Sequence, residues 1–223
     1  MTNLTENNPP KWTRAVAWFT NPKGMNNDKK LRQAVNGKVV LITGASFGIG
    51  EATAQRMAAM GAIVVLVARS ADKLEQVAAA IRATGGKAFS YTTDLSKPDE
   101  AKKLAEDILR DHGHVDVLIN NAGRSIRRSI SLSVNRFHDF ERTMAINYLG
   151  PVQLVLALLP SMQARKQGHI VNISTWGVRM PPGARWSAYQ ASKGAFDTWL
   201  RSVALEIKAD GITTTSIYPA IVY

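Results

Sequence analysis

From Gly37 onward, short continuous apolar runs alternate with longer stretches in which apolar residues recur every three or four positions. A continuous apolar run indicates a strand that is buried on both faces, whereas the longer spacing indicates an amphipathic helix. The predicted strands are Lys38–Thr43, Ala62–Ala68, Lys87–Thr92, Val115–Asn120, His169–Ser174 and Ile212–Tyr218. The predicted helices are Ile49–Met60, Asp72–Thr84, Pro98–Asp111, Val134–Arg165 and Ala188–Ala209. This regular alternation predicts an α/β fold in which a parallel sheet carries helices on both faces.

Residues 1–36 precede the first strand and do not follow the alternating pattern, so they are interpreted as an N-terminal extension. The remaining residues, 37–223, are predicted to form one domain. Within the extension, residues 11–20 combine aromatic and basic side chains at helical spacing. A short helix packed on this domain or on a partner subunit is the favoured interpretation, and a weak contact with a membrane surface is the alternative.

The composition excludes several classes of site. The chain of 223 residues has no cysteine, so it has neither disulfides nor a cysteine-ligated metal, and its four histidines lack the spacing of a metal site. No apolar run approaches the roughly 20 residues that span a bilayer, and the polar N-terminus is unlike a signal peptide. We therefore expect a cytoplasmic protein, with a location at the membrane periphery as the alternative.

The net charge of +11 is concentrated within the predicted domain. Between Arg124 and Lys193 the chain has ten lysines and arginines, opposed only by Asp139 and Glu141. Such an excess raises nucleic acid or a membrane surface as partners, but no nucleic-acid-binding motif accompanies it. An anionic small molecule is the favoured explanation, and a solvated basic face is the alternative.

The segment from Val39 to Gly50 carries the first functional signal. A buried strand is followed by three glycines, Gly44, Gly48 and Gly50, and then by good helix formers. Strand, glycine turn and helix together bring backbone N–H groups and a helix N-terminus to bear on a phosphate. Glycine spacing alone is weak evidence, but a second apolar strand follows at the distance expected of a βαβ unit. The segment therefore predicts nucleotide binding.

The residue that follows the second strand indicates which nucleotide binds. In dinucleotide-binding folds, an acidic residue about 20 positions after the glycines holds the ribose 2′-hydroxyl of NAD(H). Arg69 occupies that place here, and an arginine can bind the 2′-phosphate of NADP(H). Asp94 follows the third strand, where it could accept a hydrogen bond from adenine or simply turn the chain. The sequence therefore predicts NADP(H) as the cofactor.

Tyr189 and Lys193 lie four positions apart on the last predicted helix, so they share one face. A nearby ammonium group stabilises a phenolate and lowers the pKa of tyrosine from its usual value near 10, which suits an acid or base at neutral pH. Alone, such a pair is usually structural. Beside a nucleotide loop and the hydroxyls of Ser174 and Thr175 at a strand end, it predicts an active site.

Taken together, these motifs closely resemble the short-chain dehydrogenase/reductase family. The matching segments are Thr-Gly-Ala-Ser-Phe-Gly-Ile-Gly (43–50), Asn-Asn-Ala-Gly (120–123), Asn147, Ser-Thr (174–175) and Tyr-Gln-Ala-Ser-Lys (189–193). The resemblance covers essentially everything from Gly37. It implies a Rossmann-type, doubly wound parallel sheet with the strand order 3-2-1-4-5-6 and NAD(P)(H) bound across the strand ends.

The resemblance also implies roles for individual residues. Tyr189 is expected to be the general acid, Lys193 to hold the nicotinamide ribose and lower the tyrosine pKa, and Asn147 to support a water-mediated proton relay. The family's catalytic serine aligns with Thr175, so either Thr175 or Ser174 is expected to polarise the substrate carbonyl. The implied cofactor-binding residues are Gly44, Ser46, Phe47, Gly48, Ile49, Gly50, Arg69, Asp94, Leu95, Asn121, Ala122, Gly123, Tyr189, Lys193, Pro219 and Val222.

The end of the chain departs from the family pattern. Members normally have Pro-Gly after the sixth strand and continue into a helix that covers the substrate and a last strand. Here the pair is Pro219-Ala220, and the sequence stops at Tyr223. The resemblance therefore implies that the chain is truncated at its C-terminus and lacks the family's last strand.

Within the family, residues 124–129 and 136–142 look like the bacterial fatty acyl-CoA reductase branch, whose members reduce an acyl thioester to the aldehyde with NADPH. The leading hypothesis is NADPH-dependent hydride transfer to the carbonyl of a fatty acyl-CoA or a fatty aldehyde. A generic carbonyl reductase or alcohol dehydrogenase is one alternative, and a non-catalytic nucleotide-binding module is another. The resemblance further implies a homodimer or homotetramer, formed by pairing of the two long helices between subunits.

Overall fold

The computed structural model describes residues 27–220, and their six strands form one parallel sheet in the order β3-β2-β1-β4-β5-β6. The strands are β1 (Val39–Thr43), β2 (Ile63–Ala68), β3 (Lys87–Thr92), β4 (Val117–Asn120), β5 (Gly168–Ile173) and β6 (Ile212–Ile217). The α-helices are α1 (Asp28–Val35), α2 (Gly48–Ala59), α3 (Ala71–Ala83), α4 (Pro98–His112), α5 (Phe137–Met144), α6 (Gly150–Arg165) and α7 (Ser187–Ile207). The predicted fold class and strand order are confirmed.

Strand β1 lies at the centre of the sheet because both of its faces are apolar. All five of its residues are buried, and Leu41 pairs in register with Val65 of β2. Successive side chains of a strand point to opposite faces. Accordingly, Val39 and Leu41 belong to one hydrophobic core, while Val40 and Ile42 belong to the other.

The two cores place helices on opposite faces of the sheet. One core contains Leu104 of α4, Leu154 of α6 and Phe196 of α7, and the other contains Ala54 of α2 and Leu74 of α3. The chain therefore winds in opposite directions from the middle of the sheet. In such a sheet the strand order reverses between β1 and β4, and a ligand crevice opens there at the carboxyl ends of the strands.

Helix α1 lies within the stretch assigned to an N-terminal extension, and the sequence pattern predicts no helix there. Only Val35 of its eight residues is buried, so the apolar periodicity is too weak to be recognised. The helix nevertheless packs on the domain, since Asp28 forms an ion pair with Arg56 and Arg32 donates to the Ala59 carbonyl at 3.2 Å.

The predicted helix Val134–Arg165 is divided in the structure. It begins only at Phe137, because Ser131–Ser133 forms a 3₁₀ turn. A π turn at Ala145–Leu149, closed by a hydrogen bond from the Gly150 N–H to the Ala145 carbonyl, then separates α5 from α6. Apolar residues are frequent on both sides of this turn, so the sequence pattern predicts one uninterrupted helix. The other predicted boundaries coincide with the observed ones or differ by at most two residues.

The helical segment Phe137–Arg165 is long and apolar enough to cross a membrane by length and composition alone. In the structure, however, Leu154, Leu158 and Met162 pack into the core beside the sheet. The segment therefore has the surroundings of a core helix. Two predictions concern residues outside the described range, namely the helical or membrane-bound segment 11–20 and the cofactor contact of Val222.

Candidate active site

Two cavities adjoin at the carboxyl ends of the strands. The first cavity, of about 550 Å³, lies between the glycine loop after β1 and the residues that follow β2 and β3. The second cavity, of about 500 Å³, lies between the residues that follow β5 and β6 and the start of α7. Ile49, Asn121 and Gly123 line both cavities. They therefore form one cleft at the switch point of the sheet.

The glycine loop is shaped by contacts that leave no room for side chains. Gly44 has a φ of +66°, and a Cβ on it would lie 2.9 Å from the Ala122 Cα; a Cβ on Gly50 would lie 2.1 Å from the Gly44 carbonyl oxygen. Asn121 holds this loop in place, since its Nδ2 donates to the Thr43 carbonyl at 3.0 Å and to the Gly44 carbonyl at 3.1 Å. The loop after β1 and the loop after β4 are thus locked together.

The outer part of the same loop is open. Gly48 has a φ of +60°, and a Cβ on it would meet nothing within 4 Å; the neighbouring Phe47 is largely exposed. Gly48 also begins α2, whose first turn carries N–H groups without partners inside the helix. Open space beside backbone donors at a helix N-terminus fits the pyrophosphate of a dinucleotide.

Two cationic side chains line the other end of the first cavity. Arg69 follows β2, and Lys73 lies in the first turn of α3. No acidic residue of the described range 27–220 lines this cavity. Arg69 therefore lies where the sequence predicted, and Lys73 is an addition that sequence reasoning missed. Lys73 lies four residues after Arg69 in the sequence, and this second cation close to the first is the signal that could have identified it.

Asp94 does not line either cavity, although its neighbours Thr93 and Leu95 line the first one. Its Oδ1 accepts hydrogen bonds from the Ser96 N–H at 3.0 Å and from the Ser96 hydroxyl at 2.8 Å. Burial opposes its ionisation, but these two bonds and the charge of Arg69 hold the pKa of Asp94 below its usual value. In the structure Asp94 turns the chain, and its contact with adenine stays a prediction.

The second cavity contains the hydroxyl groups expected of an active site. Ser174, Thr175 and Tyr189 all line it. Burial raises the pKa of Tyr189 above its usual value, and Thr175 lowers it only in part. Lys193 is not among the causes of this shift, and its expected lowering of the Tyr189 pKa stays a prediction.

Lys193 lies beneath the junction of the two cavities. It is 5% exposed, and this burial lowers the pKa of its ammonium group to about 8. Its Nζ donates to the Ile173 carbonyl at 2.9 Å, so the charge is directed at a backbone oxygen. A Cβ on Gly123 would lie 3.1 Å from this Nζ, so the glycine makes room for the lysine. A buried amine that titrates near neutral pH is typical of a functional site.

Asn147 lies behind the site, in the π turn between α5 and α6. Its Oδ1 accepts from the Arg124 N–H at 2.8 Å, and its Nδ2 donates to the Arg124 carbonyl and to the Ser192 hydroxyl, both at 2.9 Å. The side-chain amide therefore fixes the start of the loop after Gly123 against α7. Its role in a proton relay stays a prediction, and the structure adds this positioning role.

A loop that follows β5 walls the second cavity with three large side chains: Trp176, Met180 and Trp186. Gln190 of α7 holds this loop in place, since its Oε1 accepts from the Gly183 N–H at 3.1 Å and its Nε2 donates to the Gly177 carbonyl at 3.3 Å. The result is an apolar wall directly above Tyr189.

Most of the predicted site residues come together in this cleft. Those that line it are Gly44, Ser46, Phe47, Gly48, Ile49, Arg69, Leu95, Asn121, Ala122, Gly123, Ser174, Thr175, Tyr189, Lys193 and Pro219. Gly50 and Asn147 support it from behind. The lining residues that sequence reasoning missed include Ser70, Lys73, Thr93, Ile146, Pro181 and Gln190. Apart from Lys73, these residues have no chemical signature, and only their position in the fold identifies them.

Comparison with known proteins shows which family the chain is similar to. The family model described as short chain dehydrogenase matches residues 38–223. A fatty acyl-CoA reductase of Acinetobacter baylyi is 52% identical over 191 residues, which cover 86% of this chain and 64% of that protein. A fatty acyl-CoA reductase of Mycobacterium tuberculosis is 44% identical over 184 residues, covering 82% of this chain and 63% of that protein.

A solved structure shows the same architecture with a ligand. It is a metagenomic short-chain oxidoreductase in complex with NADP, with a TM-score of 0.79 and 36% identity, and the match covers 85% of each chain. The chain spans slightly less than two thirds of the length of the two curated relatives.

Proposed function

This chain belongs to the short-chain dehydrogenase family of oxidoreductases, and we propose that it transfers a hydride from NADPH to the carbonyl carbon of a fatty acyl-CoA thioester. One observation carries the proposal: Thr175 and Tyr189 line the same cavity with apolar walls, and that cavity shares Ile49, Asn121 and Gly123 with the one that fits a dinucleotide.

Each of these residues has a defined chemical task. Thr175 donates a hydrogen bond to the substrate carbonyl oxygen, and Tyr189 gives that oxygen a proton. Because burial raises the pKa of Tyr189, the phenol stays protonated at neutral pH, as a general acid must. Lys193 holds the ribose of the cofactor, which supplies the hydride when it is bound. Ser174 lines the same cavity, and its buried Oγ has no hydrogen-bond partner within the described residues, so it is the alternative donor to the carbonyl.

With a thioester as substrate, the reaction consumes the hydride and one proton from solvent. The acyl carbon gains the hydride while its oxygen takes the proton of Tyr189. That proton returns to Tyr189 as the carbonyl re-forms and the carbon–sulfur bond breaks, and the sulfur leaves as a thiol that takes up the proton from solvent. The products are the fatty aldehyde, the free CoA thiol and the oxidised cofactor. The same residues can act on a fatty aldehyde, where the carbonyl oxygen keeps the proton from Tyr189 and an alcohol results.

The preference for NADPH rests on charge. Arg69 and Lys73 present two cations at one end of the first cavity, and within the described range no carboxylate lines that cavity to hold a ribose 2′-hydroxyl. A 2′-phosphate is the ligand that such an end favours. The relative that was solved with NADP supports this choice.

The acyl-CoA substrate is supported by the apolar wall and by the names of the relatives. Trp176, Met180 and Trp186 offer a surface for an alkyl chain. Both curated relatives described above are named fatty acyl-CoA reductases. A generic carbonyl reductase or alcohol dehydrogenase would use the same catalytic residues, so the substrate itself has to be tested.

The test measures NADPH oxidation with a fatty acyl-CoA, the fatty aldehyde of the same length and a ketone, and it also measures thiol release. We expect the acyl-CoA to be reduced with release of one thiol for each molecule converted to aldehyde. Reduction of aldehydes and ketones without thiol release would favour the generic reductase. Binding of NADPH without turnover of any substrate would leave a non-catalytic nucleotide-binding module.

We also propose that the protein acts as a homodimer or homotetramer in the cytoplasm. Support for association comes from Leu149, Leu156 and Leu205, which are exposed on the π turn, α6 and α7. Light scattering in solution tests the assembly, and cell fractionation tests the location, including the proposed weak contact of residues 11–20 with a membrane.

A further inference from the structure

Six arginines lie in the segment 124–142, which begins at the second cavity, and in the loop before α7, and we call them the arginine rim: Arg124, Arg127, Arg128, Arg136, Arg142 and Arg185. Arg124 lines the cavity itself. The backbone N–H of Arg128 donates to the Arg185 carbonyl at 2.8 Å, so the segment before α5 and the loop before α7 are in direct contact. The rim is therefore one surface rather than two separate basic stretches.

Three arginines of the rim are held by a single carboxylate. Asp139 is 3% exposed and forms ion pairs with Arg128 at 3.3 Å, with Arg136 at 2.8 Å and with Arg142. One negative charge thus anchors three guanidinium groups, and the cluster keeps a net positive charge. These inner arginines form the scaffold of the rim, and removing one of them would disturb a buried ion pair.

The outer arginines have no such partner. Within the described part of the chain, no carboxylate lies within ion-pair distance of Arg124, Arg127 or Arg185, and all three are exposed. The Arg127 guanidinium lies 5.9 Å from the centre of the Trp186 ring, which in turn lies 5.8 Å from the Tyr189 ring. The side chain of Trp186 therefore lies between Arg127 and the proposed general acid.

Arg185 adopts a backbone conformation that favours glycine. Its φ is +72°, in the left-handed region, which costs a residue with a side chain about 1–2 kcal/mol. Glycine at this position would avoid that strain. Lys166 at the end of α6 also has a positive φ, and what distinguishes Arg185 is its exposed position next to Trp186, which lines the second cavity.

We infer that the arginine rim binds the phosphate groups of the CoA carrier while the thioester lies at Tyr189. This inference rests on the proposed function and adds the part of the site that recognises the carrier. Guanidinium groups bind phosphate through paired hydrogen bonds, and exposed unpaired arginines are available for them. A thioester carbonyl at Thr175 and Tyr189 lies beneath Trp186, so the pantetheine arm leads from there to the mouth, where the outer arginines lie.

The test separates recognition of the carrier from catalysis. In the double variant Arg127→Gln/Arg185→Gln two charges are removed, while Gln keeps a side chain at the left-handed position. The matched control is Lys102→Gln/Lys103→Gln, which removes two exposed charges from α4, far from the lining of either cavity. Binding of free CoA is measured by calorimetry, which needs no turnover. We expect the dissociation constant for CoA to rise about tenfold in the rim variant and to stay unchanged in the control.

Turnover gives a second readout. For the rim variant we expect the KM for acyl-CoA to rise about tenfold, while the KM values for NADPH and for the fatty aldehyde change by less than twofold. An acyl-pantetheine substrate, which lacks the phosphates, is expected to react equally with native protein and variant. Equal CoA binding by both proteins would overturn the inference, as would a parallel rise in KM for acyl-CoA and aldehyde. Failure of the proposed function looks different, since no thioester would then be reduced by the native protein.

Discussion

The two cavities share three residues and yet are built in different ways. The glycine loop that borders the first cavity is fixed by backbone contacts, since Gly44 and Gly50 are packed against neighbouring main-chain atoms and Asn121 holds the loop through two carbonyl groups. The second cavity is bounded by side chains, among them Thr175, Tyr189 and Trp186. The glycine loop therefore requires residues without side chains, whereas the second cavity requires side chains with specific functional groups.

This difference predicts how each cavity responds to substitution. Adding one atom to a wall made of backbone forces the backbone to move, so stability and binding should fall together. Removing one atom from a side chain that lines the second cavity leaves the backbone in place. We therefore expect kcat to fall while the stability of the fold and the affinity for the cofactor are kept. The substitutions below test this contrast, beginning with the largest expected effect.

Tyr189→Phe removes one hydroxyl from the second cavity. We expect kcat to fall by about 10³-fold, within the range associated with a positioned general acid. The affinity for NADPH, measured by fluorescence titration, should change by less than twofold, and the melting temperature should be unaffected or slightly raised. Activity close to that of the native protein would remove Tyr189 from its proposed role.

Gly50→Ala adds one methyl group behind the glycine loop that borders the first cavity. Its Cβ would lie 2.1 Å from the Gly44 carbonyl oxygen, so the glycine loop has to shift. We expect a loss of about 100-fold in NADPH affinity, together with a fall in the free energy of unfolding of about 2 kcal/mol, as for overpacked sites. The matched control is Gly194→Ala on α7, where a Cβ meets nothing within 4 Å and alanine should stabilise the helix. Unchanged NADPH binding by Gly50→Ala would contradict the backbone-built description.

Lys193→Met tests whether a functional group of the second cavity is retained at the expense of stability. Burial lowers the pKa of Lys193 from 10.5 to about 8, so at pH 7 the folded protein carries a buried charge. At about 1.4 kcal/mol per pKa unit, less the lost hydrogen bond to Ile173, methionine should stabilise the protein by about 2 kcal/mol while abolishing turnover.

The stability gained by Lys193→Met is expected to depend on pH. Below pH 8 the lysine is charged in both the folded and the unfolded state, so the full penalty of burial applies. As the pH rises from 8 to 10.5, the folded protein loses the proton first and the penalty disappears. Denaturant unfolding at several pH values should therefore show the advantage of methionine shrinking over that range. Lys103→Met, on the surface, should show no such trend.

Arg69→Asp probes the one end of the first cavity where side chains do decide the outcome. We expect the ratio of NADPH to NADH affinity to fall by about tenfold, because the cation is replaced by an acid that can hold a 2′-hydroxyl. Lys73→Gln alone should give a smaller shift in the same direction. If the ratio does not move in either variant, the choice of cofactor depends on other residues.

The parts of the structure that the sequence predicts well are those with a repeated or chemically distinctive pattern. The continuous apolar run of β1, the glycines at 44, 48 and 50, and the pair Tyr189 and Lys193 indicate the fold and most of the cleft. Each of these features depends on residues that are close together in the sequence, so the sequence alone is enough to identify it.

Other features depend on burial and tertiary contacts, and for them the sequence has no clear signal. Helix α1 buries only Val35, the side chain of Asp94 is held by Ser96 rather than by the cavity, and burial raises the pKa of Tyr189 against the expected direction. The link between Arg128 and Arg185 joins residues that are far apart in the chain.

The π turn at Ala145–Leu149 sets the rotation of α5 about the helix axis relative to α6. Each residue of an α-helix advances the chain by about 100°, so one extra residue turns α5 by that amount relative to α6. Deleting one residue here would change the helix length very little. It would, however, rotate Asp139 and the arginines it anchors away from the cleft while the core contacts of α6 stayed in place. An insertion or deletion at this point would therefore change the rotation of α5 relative to α6 much more than the length of the helical segment.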